Sequence, residues 1–290
     1  MILVAAACGA AAFLVACPPT PVRAPTASPA PAAPQQPAPQ PLAVASRPPS
    51  AAAVPPEHPQ PEANGLVAVI IDDAGYNLDE LQAFLDLPMP LTIAVLPRLP
   101  HSTEAARRVL AAGKDLILHG PMEPDGGENP GPGVILTGMS PDRIRAVLDQ
   151  DFESVPGALG MNNHMGSKAT ADPEVMRTVL AYLQEHGKLF VDSRTTAESA
   201  GPSTARALGM PILQRDIFLD DDTREEHVSA WFDKAAEEAR SRGTVVAIGH
   251  VQNRVVVDIL RAAERTMASR GLRFARLGEV LSRQERKAAL

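Results

Sequence analysis

Residues 66–75 read L-V-A-V-I-I-D-D-A-G, an apolar run that stops at two adjacent carboxylates and a glycine. Six apolar residues without alternation suit a strand covered on both faces, as in a parallel sheet flanked by helices. Adjacent aspartates at the end of such a strand repel one another and gain nothing from burial. Asp72 and Asp73 therefore make sense around a metal ion or a shared proton.

The same unit recurs along the chain: an apolar run, a polar or ionisable residue at its end, then a helical pattern. Leucines at helical spacing follow a candidate Asn77 cap over 77–87. Strands are predicted at 91–96, 115–119, 158–163 and 188–192, in the 212–220 stretch, and at 244–250 and 272–275. Helices are predicted over 102–112, 140–155, 172–186, 223–241 and 253–269, and a long Gly/Pro-rich loop over 120–133. Seven or eight βα units predict a parallel sheet, and with a domain spanning 66–290 they favour an irregular seven- or eight-stranded (β/α) barrel over a doubly wound sheet. In either architecture ligands bind at the carboxyl ends of the strands. That rule gathers Asp72, Asp73, His119, Asn163, His164, Asp192, Asp216 or Asp220, and His250.

Outside the domain the composition changes. Of the 29 prolines, 16 lie between Pro18 and Pro61, mixed with Ala, Gln and Ser, which predicts an extended tether over 18–65. The first 17 residues form a charge-free apolar leader containing Cys8 and Cys17. It reads as an anchor helix, a lipoprotein signal ending at Cys17, or a cleaved signal, and predicts an exported protein, periplasmic or envelope-anchored, whose membrane association runs through this segment only. With both cysteines in the leader, the domain has neither a disulfide nor a thiolate metal site. Arg23, Arg47, Glu57 and Glu62 cancel in the tether, so the net charge of −7 belongs to the domain. No basic stripe offsets it, which argues against a nucleic-acid partner.

Carboxylates and imidazoles on separate strands make a cage for a borderline divalent metal, most often Zn²⁺. Such a centre polarises a carbonyl and acidifies water, while a neighbouring carboxylate acts as base and an imidazole as acid. Taken singly, each residue has a plainer reading. Asp192 can cap the D-S-R-T-T run after it, Arg215 and Asp216 can form an ion pair, and the Asn-rich segment around His164 can be a turn. A phosphohydrolase with an aspartate nucleophile would want a phosphate-cradling loop after the Asp pair, and none follows.

The ordered segments I-I-D-D-A-G at 70–75, L-H-G-P-M-E-P at 118–124, G-M-N-N-H-M-G-S at 160–167, F-V-D-S-R-T at 190–195, R-D-I-F-L-D at 215–220 and I-G-H at 248–250 resemble the divergent polysaccharide deacetylase family. The resemblance implies a metal-dependent hydrolase on an irregular (β/α) barrel that removes acyl groups from acetylated carbohydrates. It implies Asp72 as base, Asp73 and His119 as metal ligands and His250 as acid. Two positions depart from the pattern. The superfamily's second histidine, four residues after the first, is Glu123 here, so the third ligand is Glu123 or, as we favour, His164. The V-Q-N-R segment after His250 lacks an expected proline. Asn163, Asp192, Arg215 and Asp216 are expected on the substrate side. One Trp (Trp231) and two Tyr (Tyr76, Tyr182) are few for a long glycan, which keeps open a catalytically degenerate barrel that binds an envelope glycan or protein.

Overall fold

The computed structural model describes residues 63–288. The leader expected at 1–17 and all but the last residues of the expected tether lie outside the described residues. The first strand begins at Gly65, one residue before the expected domain start.

The elements are β1 (Gly65–Ala74), α1 (Leu78–Leu85), β2 (Thr92–Val95), α2 (Ser102–Ala111), β3 (Asp115–Met122), α3 (Pro141–Ser154), β4 (Gly160–Met165), α4 (Pro173–Glu185) and β5 (Leu189–Asp192). There follow α5 (Gly201–Leu208), β6 (Leu213–Gln214), β7 (Ile217–Phe218), α6 (Glu225–Arg242), β8 (Thr244–His250), α7 (Arg254–Met267), β9 (Leu272–Phe274) and α8 (Leu277–Ala288). Side-chain caps start several helices where the sequence places them. Asn77, Ser140, Asp172 and Asn253 each accept a hydrogen bond from a first-turn N–H of α1, α3, α4 and α7.

All strands pair in parallel in the order β6-β5-β4-β3-β2-β1-β8-β7, and β9 pairs with the start of β1. The result is the expected irregular (β/α) barrel, eight strands on one curled path. The expected sixth strand is split. Within two residues the chain passes from one end of the path to the other: Arg215 N–H donates to Asp192 O beyond β6, and Asp216 N–H donates to Val246 O of β8. Helices α5 and α8 were not expected from the sequence.

Strand alternation sorts the apolar residues into two clusters. Val67, Val69 and Ile71 of β1 face the helices with Leu116, Leu118, Met161 and Phe190. Leu66, Ala68 and Ile70 face the barrel interior with Ile117, Val191, Leu213, Val246 and Ile248. Leu277 and Val280 of α8 join this inner cluster. Gln284 donates to Thr244 at the start of β8, and Arg276 pairs with Asp115 at the start of β3. Helix α8 thus plugs the amino-terminal mouth of the barrel.

Truncating a plug residue leaves a cavity that the barrel wall cannot fill. Leu277→Ala should lower unfolding stability by about 2–5 kcal/mol in urea denaturation, while Leu110→Ala, half exposed on α2, should change it by less than roughly 0.5 kcal/mol. Equal midpoints for the two variants would show that α8 does not fill the barrel.

Candidate active site

At the other mouth, the inward positions that carry apolar residues lower in the barrel carry polar ones. Asp72 follows Ile70 on β1, His119 follows Ile117 on β3, Asn162 and His164 share the inner face of β4, and His250 follows Ile248 on β8. Register brings them side by side. Asp72 lies opposite His250, and His119 lies opposite Asn162.

Asp73 breaks the alternation. As a regular strand residue it would point at the helices. Between Ile71 and Ala74, however, three residue steps on β1 face two on β2, from Ile93 to Val95, which is a bulge. Asp73 absorbs the extra residue with φ +66, a left-handed conformation that Asp tolerates better than most side chains. Gly75, at φ +125, completes a turn that other residues rarely adopt. The outcome is two neighbouring carboxylates on one cavity.

Three donor atoms from three strands form a nearly regular triangle. Asp73 Oδ1 lies 3.2 Å from His119 Nε2 and 3.1 Å from His164 Nδ1, and the two imidazole nitrogens are 3.1 Å apart. Asp73 Oδ1 is buried and makes no hydrogen bond. A second link orders the site. Asn162 Nδ2 donates to Asp72 Oδ1 at 2.8 Å, so its carbonyl oxygen accepts from His119 Nδ1–H at 2.8 Å. That tautomer leaves the His119 Nε2 lone pair directed at the triangle. Donors bound at about 2.0–2.2 Å to one cation lie roughly 3–3.5 Å apart. The orphaned carboxylate oxygen, the fixed tautomer and the spacing all fit a divalent ion.

Glu123 is not part of this triangle. Its carboxylate accepts from Lys168 Nζ at 2.7 Å and from Thr137 N–H and Oγ1–H at 2.7 and 2.6 Å, and these contacts hold its pKa down at about 2. Of the two sequence alternatives, His164 stands with Asp73 and His119.

The two aspartates differ in environment. Burial raises the pKa of Asp72 despite the neighbouring His119 and His250 charges and the Asn162 hydrogen bond. For Asp73, burial is outweighed by His119 and His164, which hold the carboxyl well below the usual range. On the opposite wall Asp220, reached from β7, accepts from His250 N–H and Nδ1–H at 2.9 Å each. Burial works against charging His250, but Asp220 and then Asp72 more than offset it and raise the pKa to about 9.

The profile of one protein family, divergent polysaccharide deacetylase, matches residues 69–281. The chain belongs to that family. An uncharacterised protein of Haemophilus influenzae is 35% identical over 205 residues, covering 71% of this chain and 73% of its own. Escherichia coli YibQ, also uncharacterised, is 33% identical over 186 residues, covering 64% of this chain and 58% of its own. The crystal structure of an uncharacterised Agrobacterium tumefaciens protein shares the fold at 23% identity with TM-score 0.70, covering 74% of this chain and 89% of that one.

In this member of the divergent family three of the four expected substrate-side residues do not face the cavity. Asn163 lies on the outer face of β4, where it donates to Met165 O and Thr195 Oγ1 and accepts from Ser193 N–H. Asp192 shares the outward parity of Phe190 and spends its oxygens on Arg194 N–H and Ser199 Oγ–H, so it caps the loop after β5. Asp216 accepts from Val246 N–H and pairs with Arg242 at 2.9 Å. That places it four residues below His250, about 13 Å away along β8. Arg215 alone of the four sits at the rim, its guanidinium 4.9 Å from the Phe218 ring centroid. Of the adjacent Asn162 and Asn163 the sequence reading favours Asn163, although period-two alternation from His164 points to Asn162. Gln252 was also missed: its amide lies 3.4 Å from Asp73 Oδ2, in the segment that departs from the family pattern.

His250 has a folded pKa above the unfolded value of about 6.5. The Asp220 contact therefore stabilises the fold fully below about pH 6.5 and stops doing so as pH rises through about 9. An NMR titration of His250 should give a midpoint near 9, shifted down by at least one unit in Asp220→Asn. An unshifted midpoint would show that Asp220 does not hold the proton.

Proposed function

We propose that this protein is a metal-dependent hydrolase that removes an acyl group from an acetylated cell-envelope carbohydrate. The observation that carries this reading is the Asp73–His119–His164 triangle with Asp72 on one side and His250 on the other. Family membership supports the reaction class. A divalent cation held by Asp73, His119 and His164, with zinc the best match to two imidazoles and a carboxylate, would supply a Lewis acid that polarises the acyl oxygen and acidifies water.

The chain's own residues divide the proton work. Asp72 accepts the proton from water as its oxygen bonds to the acyl carbon, a role suited to a buried carboxylate with raised pKa. Asn162 holds that carboxylate in place through Oδ1 and leaves Oδ2 for the proton. His250, cationic near neutrality, gives its proton to the leaving amine or alcohol as the acyl bond breaks. Asp220 keeps the donor charged and aimed.

Elemental analysis of the purified protein should find about one equivalent of divalent metal, lost in Asp73→Ala and His164→Ala and retained in Glu123→Ala. Asn162→Ala should bind metal about 10–100-fold more weakly. Asp72→Asn should keep the metal and release acetate about 10²–10⁴-fold more slowly than wild type from an N-acetylated sugar. Wild type without metal after reconstitution, or Asp72→Asn at full rate, would overturn the hydrolase. A barrel that binds an envelope glycan or protein without turnover would then be the better account.

The envelope location rests on the apolar, charge-free segment at 1–17 and the Pro/Ala-rich stretch after it. A fusion of residues 1–65 to a reporter active only after export should be active in a bacterial host. An inactive, stably expressed fusion removes this part of the proposal.

A further inference from the structure

Beside the acid wall of the site lies a pair of cations with no part in the reaction above. Arg215 is fixed from two directions. Its Nε and Nη2 donate to the carbonyls of Ser193 and Arg194 at 2.6 and 2.9 Å, and its guanidinium stacks on Phe218. The edge of the same phenyl ring meets His250, with ring centroids 5.2 Å apart. Guanidinium, phenyl and imidazole therefore stand in a row, and Arg215 is one ring away from the group that faces the leaving atom. Arg194, exposed at the end of β5, adopts a left-handed backbone at φ +51. Burial, and then the charge of Arg194, lower the pKa of Arg215.

Neither arginine has a carboxylate partner among the described residues. Carboxylates act on Arg215 only at longer range, Asp192 first and then Asp72 and Asp221. Two neighbouring guanidiniums repel, and a partly buried one gives up hydration, so the arrangement gains most when an anion lies against it. Immediately before Arg194, just past the end of β5, stands Ser193, buried and with its Oγ unpartnered. Among the described residues Arg215 Nη1 and the Arg194 guanidinium keep free donors, and such donors together with a hydroxyl suit an oxyanion.

We propose that Arg194 and Arg215, with Ser193, form an oxyanion-accepting subsite beside His250, so that the acylated sugar taken by this site carries a carboxylate or a phosphate. The proposal rests on the carbohydrate reading above and specifies its substrate class. The subsite also offsets the Asp72–Asp73 pair, which would otherwise repel an anionic sugar.

Calorimetric titration of the full-length protein with N-acetylglucosamine, its 6-phosphate and N-acetylmuramic acid tests this. At low salt one of the charged sugars should bind about tenfold tighter than the neutral one. The margin should shrink at high salt, disappear in Arg194→Gln and partly survive in Arg194→Lys. Whichever charged sugar shows the margin identifies carboxylate or phosphate as the group. Equal binding of all three, binding of none, or a margin untouched by Arg194→Gln overturns the subsite. Acetate release is scored separately in wild type. Release from the neutral sugar with no charge preference leaves the hydrolase standing and removes the subsite, and a charge preference without release from any sugar does the reverse.

Discussion

A β-strand sends successive side chains to opposite faces, and this site needs two successive side chains on one face. The left-handed bulge at Asp73 resolves that conflict. A non-glycine residue held there costs of order 1–3 kcal/mol, and the surroundings must over-determine it. Val251 N–H binds Asp72 O on one side, and Leu96 N–H binds Ala74 O on the other, so the flanking backbone is tied down around the irregular residue. Without the bulge Asp73 would enter the apolar layer beside Ile71 and Ala74. His119 and His164 would then face each other with no carboxylate between them.

Once that turn is in place, environment assigns each ionisable group its task. Asp72 and Asp73 are neighbours in sequence, yet burial dominates at one and the imidazoles at the other, so their proton affinities move in opposite directions. The same separation of paired carboxylates is how a site sets apart a proton acceptor and a fixed anion near neutral pH. The two histidines divide similarly. His119 has its Nδ1 proton tied to an amide, which leaves a lone pair for a cation. His250 has Nδ1 against a buried carboxylate, which keeps it protonated.

Much of this was legible in the sequence because strand ends and parity are sequence properties. The βα repeats, the helix starts near 77, 140 and 172, and the gathering of Asp73, His119 and His164 follow from apolar runs and what terminates them. The illegible parts have physical reasons. Asn162 and Asn163 are indistinguishable by composition, and only the phase of β4, set by Met161 among the outer apolar residues, tells which one faces inward. Strands β6 and β7 are two residues each, too short for a periodic signal, and the switch between them depends on long-range pairing to β5 and β8. Helix α8 is dominated by charge, and its few inward residues have meaning only once a barrel exists to be plugged.

The two mouths of the barrel divide stability from chemistry. At the amino-terminal mouth α8 fills the interior with Leu277 and Val280, and polar residues there pair with one another, as Arg242 does with Asp216. At the carboxyl mouth buried polar atoms stand without protein partners, Asp73 Oδ1 and Ser193 Oγ among them. Buried polar atoms are normally satisfied, and each exception has a cost that folding alone does not recover. Asp73 Oδ1 lies in the triangle, where it suits a cation, and Ser193 Oγ belongs to the residue next to Arg194, in the proposed anion subsite. The fold admits many chemistries, so the functional reading rests on the Asp73–His119–His164 triangle and on the acid and base beside it.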